Sequence, residues 1–163
     1  MDIFVTVGMS SWPFDRLLSS IGALCDSHNV FAQVGVSEVQ LPCPTSPFLP
    51  YPDLLNRIEK ADIVITHAGN TVRLVQRLQK VPIAMARERA WGEMANDHQV
   101  KYLRYEELHG RVVGLWHGAD LPMLVENHHE TESRMLTTRE LLPKISGERL
   151  ADIMNRLCAQ WVK

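Results

Sequence analysis

The chain has 163 residues, the length of one domain, with 45% apolar residues, 22% charged residues and a net charge of −2. This composition excludes intrinsic disorder, collagen and coiled coil, and the small, dispersed charge gives no electrostatic footprint for nucleic acid. No apolar run approaches the ~18 residues of a transmembrane helix.

Alternating apolar patterns divide the chain into strands and helices. Apolar, often β-branched runs predict strands over residues 3–7, 30–34, 62–66, 82–86 and 111–116. Amphipathic patterns predict helices over residues 14–25, 52–60, 71–79, 96–107 and 147–162. Because strands and helices alternate, we expect one α/β domain over residues 1–163, with an open, mostly parallel sheet flanked by helices. Such a domain is Rossmann-like.

Two segments have the composition of loops rather than of central strands or helices. Residues 40–50 hold four prolines and predict a loop or a sheet edge, and the polar residues 127–138 predict a mobile surface connection.

Cys25, Cys43 and Cys158 form neither a CxxC site nor a disulfide framework, so we expect a reducing cytoplasm, with Cys25 and Cys158 as packing residues. The first residues lack a basic region, so we expect no secretory signal.

Small and polar residues follow several of the predicted strands. Ligands of open parallel sheets bind beyond the carboxyl ends of strands, where Gly8, Ser10 and the run His67–Thr71 are placed. Gly69 allows close approach of the backbone, and the start of the next helix favours an anion such as phosphate. Alternatively, Asn70 or Thr71 is only a helix cap. The chain contains neither GxGxxG nor a P-loop signature.

A second polar cluster follows the fourth predicted strand. It consists of Glu93, Asn96, Asp97, His98 and Gln99. Gln99 offers a donor and an acceptor for sugar hydroxyls, whereas Asn96 or Asp97 is alternatively a helix cap. Glu93, Asp97 and His98 are candidates for a catalytic base by position alone. His67 and His98 lack an evident third ligand, so we expect no metal site, and we expect His128 and His129 on a solvated surface.

Taken in order, these segments resemble a known family. They are Ile3–Gly8, Pro13–Leu17, Ala32–Gly35, Phe48–Tyr51, Ala61–Gly69, Arg87, Gly92–Glu93 and Asn96–Gln99. Together they look like the donor-binding domain of glycosyltransferase family 28, over about residues 1–116. Within this family, the chain resembles the small cytosolic subunits of split UDP-GlcNAc transferases and subunits of bacterial exopolysaccharide glycosyltransferases.

The resemblance implies a single GT-B C-terminal half that binds a UDP-sugar and transfers the sugar with inversion, without a metal or other cofactor. The implied donor-binding residues are Gly8, Ser10, His67, Ala68, Gly69, Asn70, Thr71, Gln76, Arg87, Glu93, Asn96, Asp97, His98 and Gln99. It also implies a cytoplasmic chain with an acceptor-binding partner subunit, which in this family is often membrane-associated and would recruit the chain there. A homo-oligomer is compatible with the same pattern.

The chain departs from the family pattern in the segment after His67. The family's second glycine is replaced by Thr71, and its ribose-binding glutamate corresponds to Val75, or to Gln76 after a one-residue slip. Arg73 adds a charge near the expected diphosphate. Two alternatives therefore stay open. One is a repurposed, non-catalytic relative that binds another nucleotide or phosphorylated ligand or acts as a regulatory partner; the other is an interaction module whose motifs are only caps and turns.

Overall fold

The structure is a computed structural model that describes residues 1–138. Its strands are β1 (Asp2–Thr6), β2 (Asn29–Gln33), β3 (Thr45–Ser46), β4 (Ile63–His67), β5 (Ile83–Met85) and β6 (Val113–Gly114). Its α-helices are α1 (Asp15–Ser20), α2 (Tyr51–Lys60), α3 (Asn70–Arg77), α4 (His98–Leu108), α5 (Leu121–Glu126) and α6 (His128–Thr138). Short 3-10 turns cover Gly22–Leu24, Arg89–Trp91 and Gly118–Asp120.

The six strands form one open sheet in the order β3-β2-β1-β4-β5-β6, and every pairing between them is parallel. The chain moves outward from β1 to β3 and then returns to β4 on the other side of β1. The order therefore reverses between β1 and β4, which is where sheets of this kind bind ligands. The predicted open, parallel, Rossmann-like fold is confirmed.

Alternation of side chains along the strands gives the sheet two apolar faces. Ile3, Val5 and Ile65 pack with residues of α1, α5 and α6 on one face. On the other face Phe4 and Val64 pack with α2 and α3, and a smaller cluster around Leu103 joins α4 to the sheet. Because helices cover both faces, the strands are continuous apolar runs, as expected for a parallel sheet.

The structure differs from the predicted elements most clearly in the first helix and the last strand. The first predicted helix is split, because α1 ends at Ser20 and a 3-10 turn follows over Gly22–Leu24. The predicted strand 111–116 pairs only over Val113–Gly114. Residues 40–50 do lie at the sheet edge, where Thr45–Ser46 is a two-residue edge strand.

The expectation of a mobile connection over residues 127–138 is wrong, because this segment forms α6. His128 is buried rather than solvated, and its Nε2 lies 2.8 Å from the carbonyl oxygen of Val81. The Val81 amide in turn donates to the Glu132 carboxylate at 2.8 Å. Polar side chains of α6 thus satisfy the backbone that leads into β5. The predicted helix 147–162 and Cys158 lie outside the described residues.

Cys25 lies against the main core, in agreement with its prediction as a packing residue. Burial, together with a hydrogen bond to the Cys43 thiol, raises the pKa of Cys25 to about 12. Both cysteines are free thiols.

Candidate functional site

Buried polar side chains close the carboxyl ends of β1, β2 and β4. The Thr6 hydroxyl donates to Oε1 of Gln33, and the Gln33 amide donates to the carbonyl oxygens of Gly8 and Pro47, both at 2.8 Å. The Thr66 hydroxyl donates to the Thr6 carbonyl at 3.0 Å. Because these groups lie in the sheet interior, their hydrogen bonds fix the loops that leave it.

The imidazole of His67 lies between two glycines at the point where the strand order reverses. A Cβ at Gly8 would lie 2.5 Å from Cε1 of His67, and a Cβ at Gly69 would lie 2.3 Å from Nε2. Gly8 also has a φ of +77°, which strains any residue with a side chain. Gly69 is predicted from the sequence to allow close approach of a ligand. In the structure, both glycines first make room for the His67 ring.

His67 is neutral near physiological pH. Burial of the ring lowers its pKa to about 4, with a further contribution from the charge of Arg87. Its Nδ1 lies 3.4 Å from the Thr66 hydroxyl. The ring therefore offers the site a donor and an acceptor rather than a positive charge.

Helix α3 begins at this point without a side-chain cap. Its N-cap is Gly69, so the expectation that Asn70 or Thr71 caps the helix is wrong. Among the described residues, no hydrogen bond satisfies the backbone amides of Asn70 and Thr71. Gly69 is partly exposed, Asn70 is exposed and Ala68 is buried. The helix thus presents unsatisfied N–H groups and the positive end of its dipole at the strand-order reversal.

Arg87 joins the loop after β1 to the loop after β5. Its side chain is fully buried and donates to the carbonyl oxygens of Val7 at 3.0 Å, Trp12 at 3.0 Å and Pro13 at 2.8 Å. Its guanidinium lies 4.5 Å from the centre of the Phe14 ring. Burial lowers the Arg87 pKa, and Glu93 opposes that change. Arg87 therefore fixes the positions of these two loops relative to each other.

Glu93 also belongs to this scaffold. Its carboxylate binds Arg16 at two points, with Nε–Oε1 at 3.1 Å and NH2–Oε2 at 2.8 Å, and it accepts the Glu88 amide at 3.0 Å. The side chain is almost completely buried. A carboxylate held in this way is poorly placed to remove a proton from an acceptor, so Glu93 is the weakest of the three base candidates.

The remaining predicted residues lie at the start of α4. Asn96, Asp97 and His98 are exposed, whereas Gln99 is buried. The Asn96 side chain accepts the His98 amide at 3.1 Å, and the Asp97 carboxylate accepts the Arg89 amide at 2.8 Å. Gln99 Oε1 accepts the Arg87 amide at 3.1 Å. Asp97 and His98 are therefore the two candidates for the catalytic base that reach solvent. Ser10, a predicted donor-binding residue in the loop after β1, is partly exposed.

Gln76 makes hydrogen bonds inside the protein instead of being free for the predicted contact with ribose. Its amide donates to Glu106 at 2.9 Å and to the Arg111 carbonyl at 3.1 Å, and the side chain is buried. Arg73 pairs with the same Glu106 carboxylate at 3.0 Å instead of pointing to a diphosphate site. Burial, with a contribution from Glu106, raises the pKa of neighbouring Tyr102 to about 12. This cluster ties α3 to α4.

Sequence reasoning missed two of the residues that build the site. Arg16 lies in the Pro13–Leu17 segment of the family pattern, and no role is predicted for it from the sequence. In the structure it binds the Glu93 carboxylate and donates to the Ala86 carbonyl at 2.7 Å. Gln33 anchors two loops. For Gln33, the available signal was a long polar side chain at the end of the largely apolar strand β2.

A cavity of about 410 Å³ lies away from this site, along α2 and the amino-terminal ends of β1 and β2. Asp2, Asn29, Phe31, Arg57 and Lys60 contribute to its lining. Within residues 1–138, no group of three or more His, Cys, Asp or Glu side chains is placed to hold a metal ion. None of the helices in this range is long and apolar enough to cross a membrane.

Comparison with known proteins places the fold. No protein-family model matches the chain, and no curated protein matches it. Among solved structures, the chain is similar to the crystal structure of CalG4, the calicheamicin glycosyltransferase, with a TM-score of 0.67 and 13% sequence identity. The match covers 99% of this chain and 44% of that chain, so the chain spans less than half the length of this neighbour. The chain therefore has the fold of one half of a glycosyltransferase.

Proposed function

We propose that the chain is the donor-binding subunit of an inverting glycosyltransferase, which binds a UDP-sugar such as UDP-GlcNAc and acts with an acceptor-binding partner. The observation that carries the proposal is the uncapped start of α3, where the amides of Asn70 and Thr71 lack acceptors at the strand-order reversal. Backbone N–H groups at such a helix start bind phosphate oxygens. The fold shared with part of a glycosyltransferase supports a nucleotide-sugar as the source of these phosphates.

In the proposed complex, the diphosphate lies against α3 and the sugar extends toward the start of α4. The exposed side chains of Asn96, Asp97 and His98 supply polar groups for sugar hydroxyls on that side. The acceptor hydroxyl attacks the anomeric carbon while a base removes its proton, and the bond to the diphosphate breaks with its electron pair. The α3 dipole and amides stabilise the departing diphosphate without requiring a metal.

The base is not assigned to Glu93, because Arg16 already holds that carboxylate. Asp97 and His98 reach solvent, and the acceptor-binding partner can supply the base instead. We propose that the chain is located in the cytoplasm and that a membrane-associated partner recruits it to the membrane.

A second candidate function is a non-catalytic relative that binds a different nucleotide or phosphorylated ligand. The observation that favours it is the loss of a ribose-binding carboxylate, because Val75 is buried in the core and Gln76 is hydrogen-bonded to Glu106. The two candidates share the anion site at α3. They differ in ligand preference and in whether a sugar is transferred.

Calorimetry with UDP, UDP-GlcNAc and ADP tests both candidates. We expect UDP and UDP-GlcNAc to bind and ADP to bind more weakly. Asn70→Asp places a negative charge beside the proposed diphosphate, and we expect it to weaken UDP binding about tenfold, equivalent to ~1.4 kcal/mol. Because acidic residues stabilise a helix start, the variant should remain as stable as the parent.

Asn56→Asp, the same change at an exposed position of α2, is the matched control and should bind UDP normally. Absence of heat with millimolar UDP and UDP-GlcNAc on folded protein would contradict the first candidate. A clear preference for ADP or another phosphorylated ligand would favour the second. Equal UDP affinity of the Asn70→Asp variant and the parent would contradict the assignment of α3 in either case.

A further inference from the structure

Exposed apolar side chains concentrate in the loops that follow the strands. Among residues 1–138, five of the eleven large apolar side chains that are exposed lie in these loops. They are Met9 and Trp12 after β1, Val36 after β2, Phe48 after β3 and Trp91 after β5, and we term them the carboxyl-edge rim. Their exposed fractions range from 43% to 85%.

The sheet order places these loops in one row. The strands from β3 to β5 span four spacings of ~4.8 Å, or about 19 Å in total. Arg87 joins the β1 and β5 loops through its bond to the Trp12 carbonyl. The guanidinium carbon of Arg16 lies 5.9 Å from the centre of the Trp91 ring, on the same side. The Gly35 amide donates to the Pro47 carbonyl at 2.8 Å and joins the loops that carry Val36 and Phe48. The rim is therefore a row of exposed side chains on neighbouring loops of one sheet edge.

A surface of this kind is typical of a protein interface. Trp, Phe and Met are enriched in interface cores, and soluble monomers rarely expose large contiguous apolar patches. With full areas of ~150–250 Å² for a large side chain, the rim exposes roughly 430–700 Å². One partner of a standard interface contributes ~800 Å², so the rim supplies more than half of that area and the adjacent loops can supply the rest.

We infer that the carboxyl-edge rim binds a second copy of this chain. The net charge of −2 gives little electrostatic repulsion between copies. A single row of loops can pack against its own copy across a two-fold axis, which is the commonest symmetry of soluble oligomers. The inference rests on the fold and the rim and does not require the proposed function. In the pair, the α3 start of each copy faces the other copy, and an acceptor-binding partner that uses the same rim competes with self-association.

Sedimentation velocity and light scattering of the full chain over a concentration series test the inference. We expect a dimer with a dissociation constant in the micromolar range. The variants Trp12→Ser and Trp91→Ser should each raise this constant at least tenfold. Tyr105→Ser and Leu108→Ser remove exposed apolar side chains of α4 outside the rim, and they should leave it unchanged. Circular dichroism establishes that each variant is folded.

A chain that stays monomeric at high micromolar concentration overturns the inference, as does a dimer that the rim variants leave intact while the α4 variants weaken it. Calorimetry with UDP on the same samples separates this result from the proposed function. A chain that dimerises through the rim, and whose monomeric Trp91→Ser variant also fails to bind UDP, contradicts only the proposed function. A monomer that binds UDP contradicts only the inference drawn here.

Discussion

Arg16 and Glu93 form a two-point ion pair that connects α1 to the loop after β5. The carboxylate is almost completely buried, whereas the guanidinium keeps about a fifth of its side chain exposed and also donates to the Ala86 carbonyl. The two partners therefore differ in what each loses when the other is removed. Without Arg16, the buried carboxylate keeps the hydrogen bond from the Glu88 amide and the nearby charge of Arg87. Without Glu93, the guanidinium keeps the Ala86 carbonyl, the Glu88 carboxylate at 3.4 Å and access to water.

We expect Arg16→Ala to lower the free energy of unfolding by about 2–4 kcal/mol, because the buried carboxylate of Glu93 loses its two-point ion pair. Glu93→Gln should cost less, since the amide can still accept hydrogen bonds and Arg16 stays partly solvated. Urea unfolding of the two single variants and the double variant gives the coupling energy between the residues. Lys101→Ala, at an exposed position of α4, is the control. Additive single effects would contradict the pairing.

Gly8 and Gly92, two of the four glycines with positive φ among the described residues, allow strain and steric contact to be separated. A Cβ at Gly8 meets the His67 ring, whereas a Cβ at Gly92 meets nothing within 4 Å. Gly92→Ala should therefore cost only the backbone strain of about 1 kcal/mol. We expect Gly8→Ala to cost clearly more, and we expect His67→Ala to recover part of the added loss in the double variant. Thermal and urea unfolding measure both effects, and equal costs for the two alanine variants would show that the contact is unimportant.

The lowered pKa of His67 predicts a pH dependence of stability. The folded-state pKa is about 4 and the ordinary value is 6.5, so between these values the unfolded chain binds the proton and the folded chain does not. Stability should thus be complete above pH 6.5, fall as the pH drops toward 4, and change no further below that. The full difference is about 3 kcal/mol, from ~1.4 kcal/mol for each pKa unit.

Urea unfolding of the parent and of His67→Asn at several pH values isolates this contribution. The asparagine variant should show a shallower decline of stability between pH 6.5 and 4. Parallel curves for the two proteins would mean that His67 titrates normally in the folded state.

Gln76→Glu should destabilise the fold, although it introduces the residue type that the family resemblance leads one to expect in this segment. The new carboxylate would lie at hydrogen-bond distance from the buried carboxylate of Glu106. We expect a loss of about 2–3 kcal/mol at neutral pH, because two carboxylates in contact raise the pKa of one of them. Acidification should reduce the loss. Arg77→Glu, at the next and exposed position, is the control and should change unfolding far less.

The sequence was most informative where one physical rule acts alone. Continuous apolar runs such as Ile63–Thr66 identified the central strands, and small residues such as Gly8 and Gly69 marked the loops at the carboxyl edge. The alternation of strands and helices was enough to predict the parallel sheet. These features depend on local composition, which a single sequence displays directly.

The partners of polar side chains could not be predicted in the same way. Glu93 and Gln76 have the chemistry of ligand-binding residues, yet Arg16 and Glu106 occupy them. These contacts join residues 77 and 30 positions apart, and no periodic pattern reveals such pairings. The position of His128 could not be predicted for the same reason. The polar residues around it in the sequence suggested a solvated surface, but the side chain is buried and its Nε2 lies at hydrogen-bond distance from the Val81 carbonyl.

The double attachment of Val81 to α6 makes this helix part of the structure that supports β5. Both backbone groups of Val81 depend on this helix, the carbonyl on His128 and the amide on Glu132. A chain shortened to residues 1–116, where the family resemblance is strongest, would leave both groups unbonded at the entrance to β5. A shortened chain made for the binding experiments should therefore extend at least through Glu132, and the recognisable motifs alone do not delimit the domain.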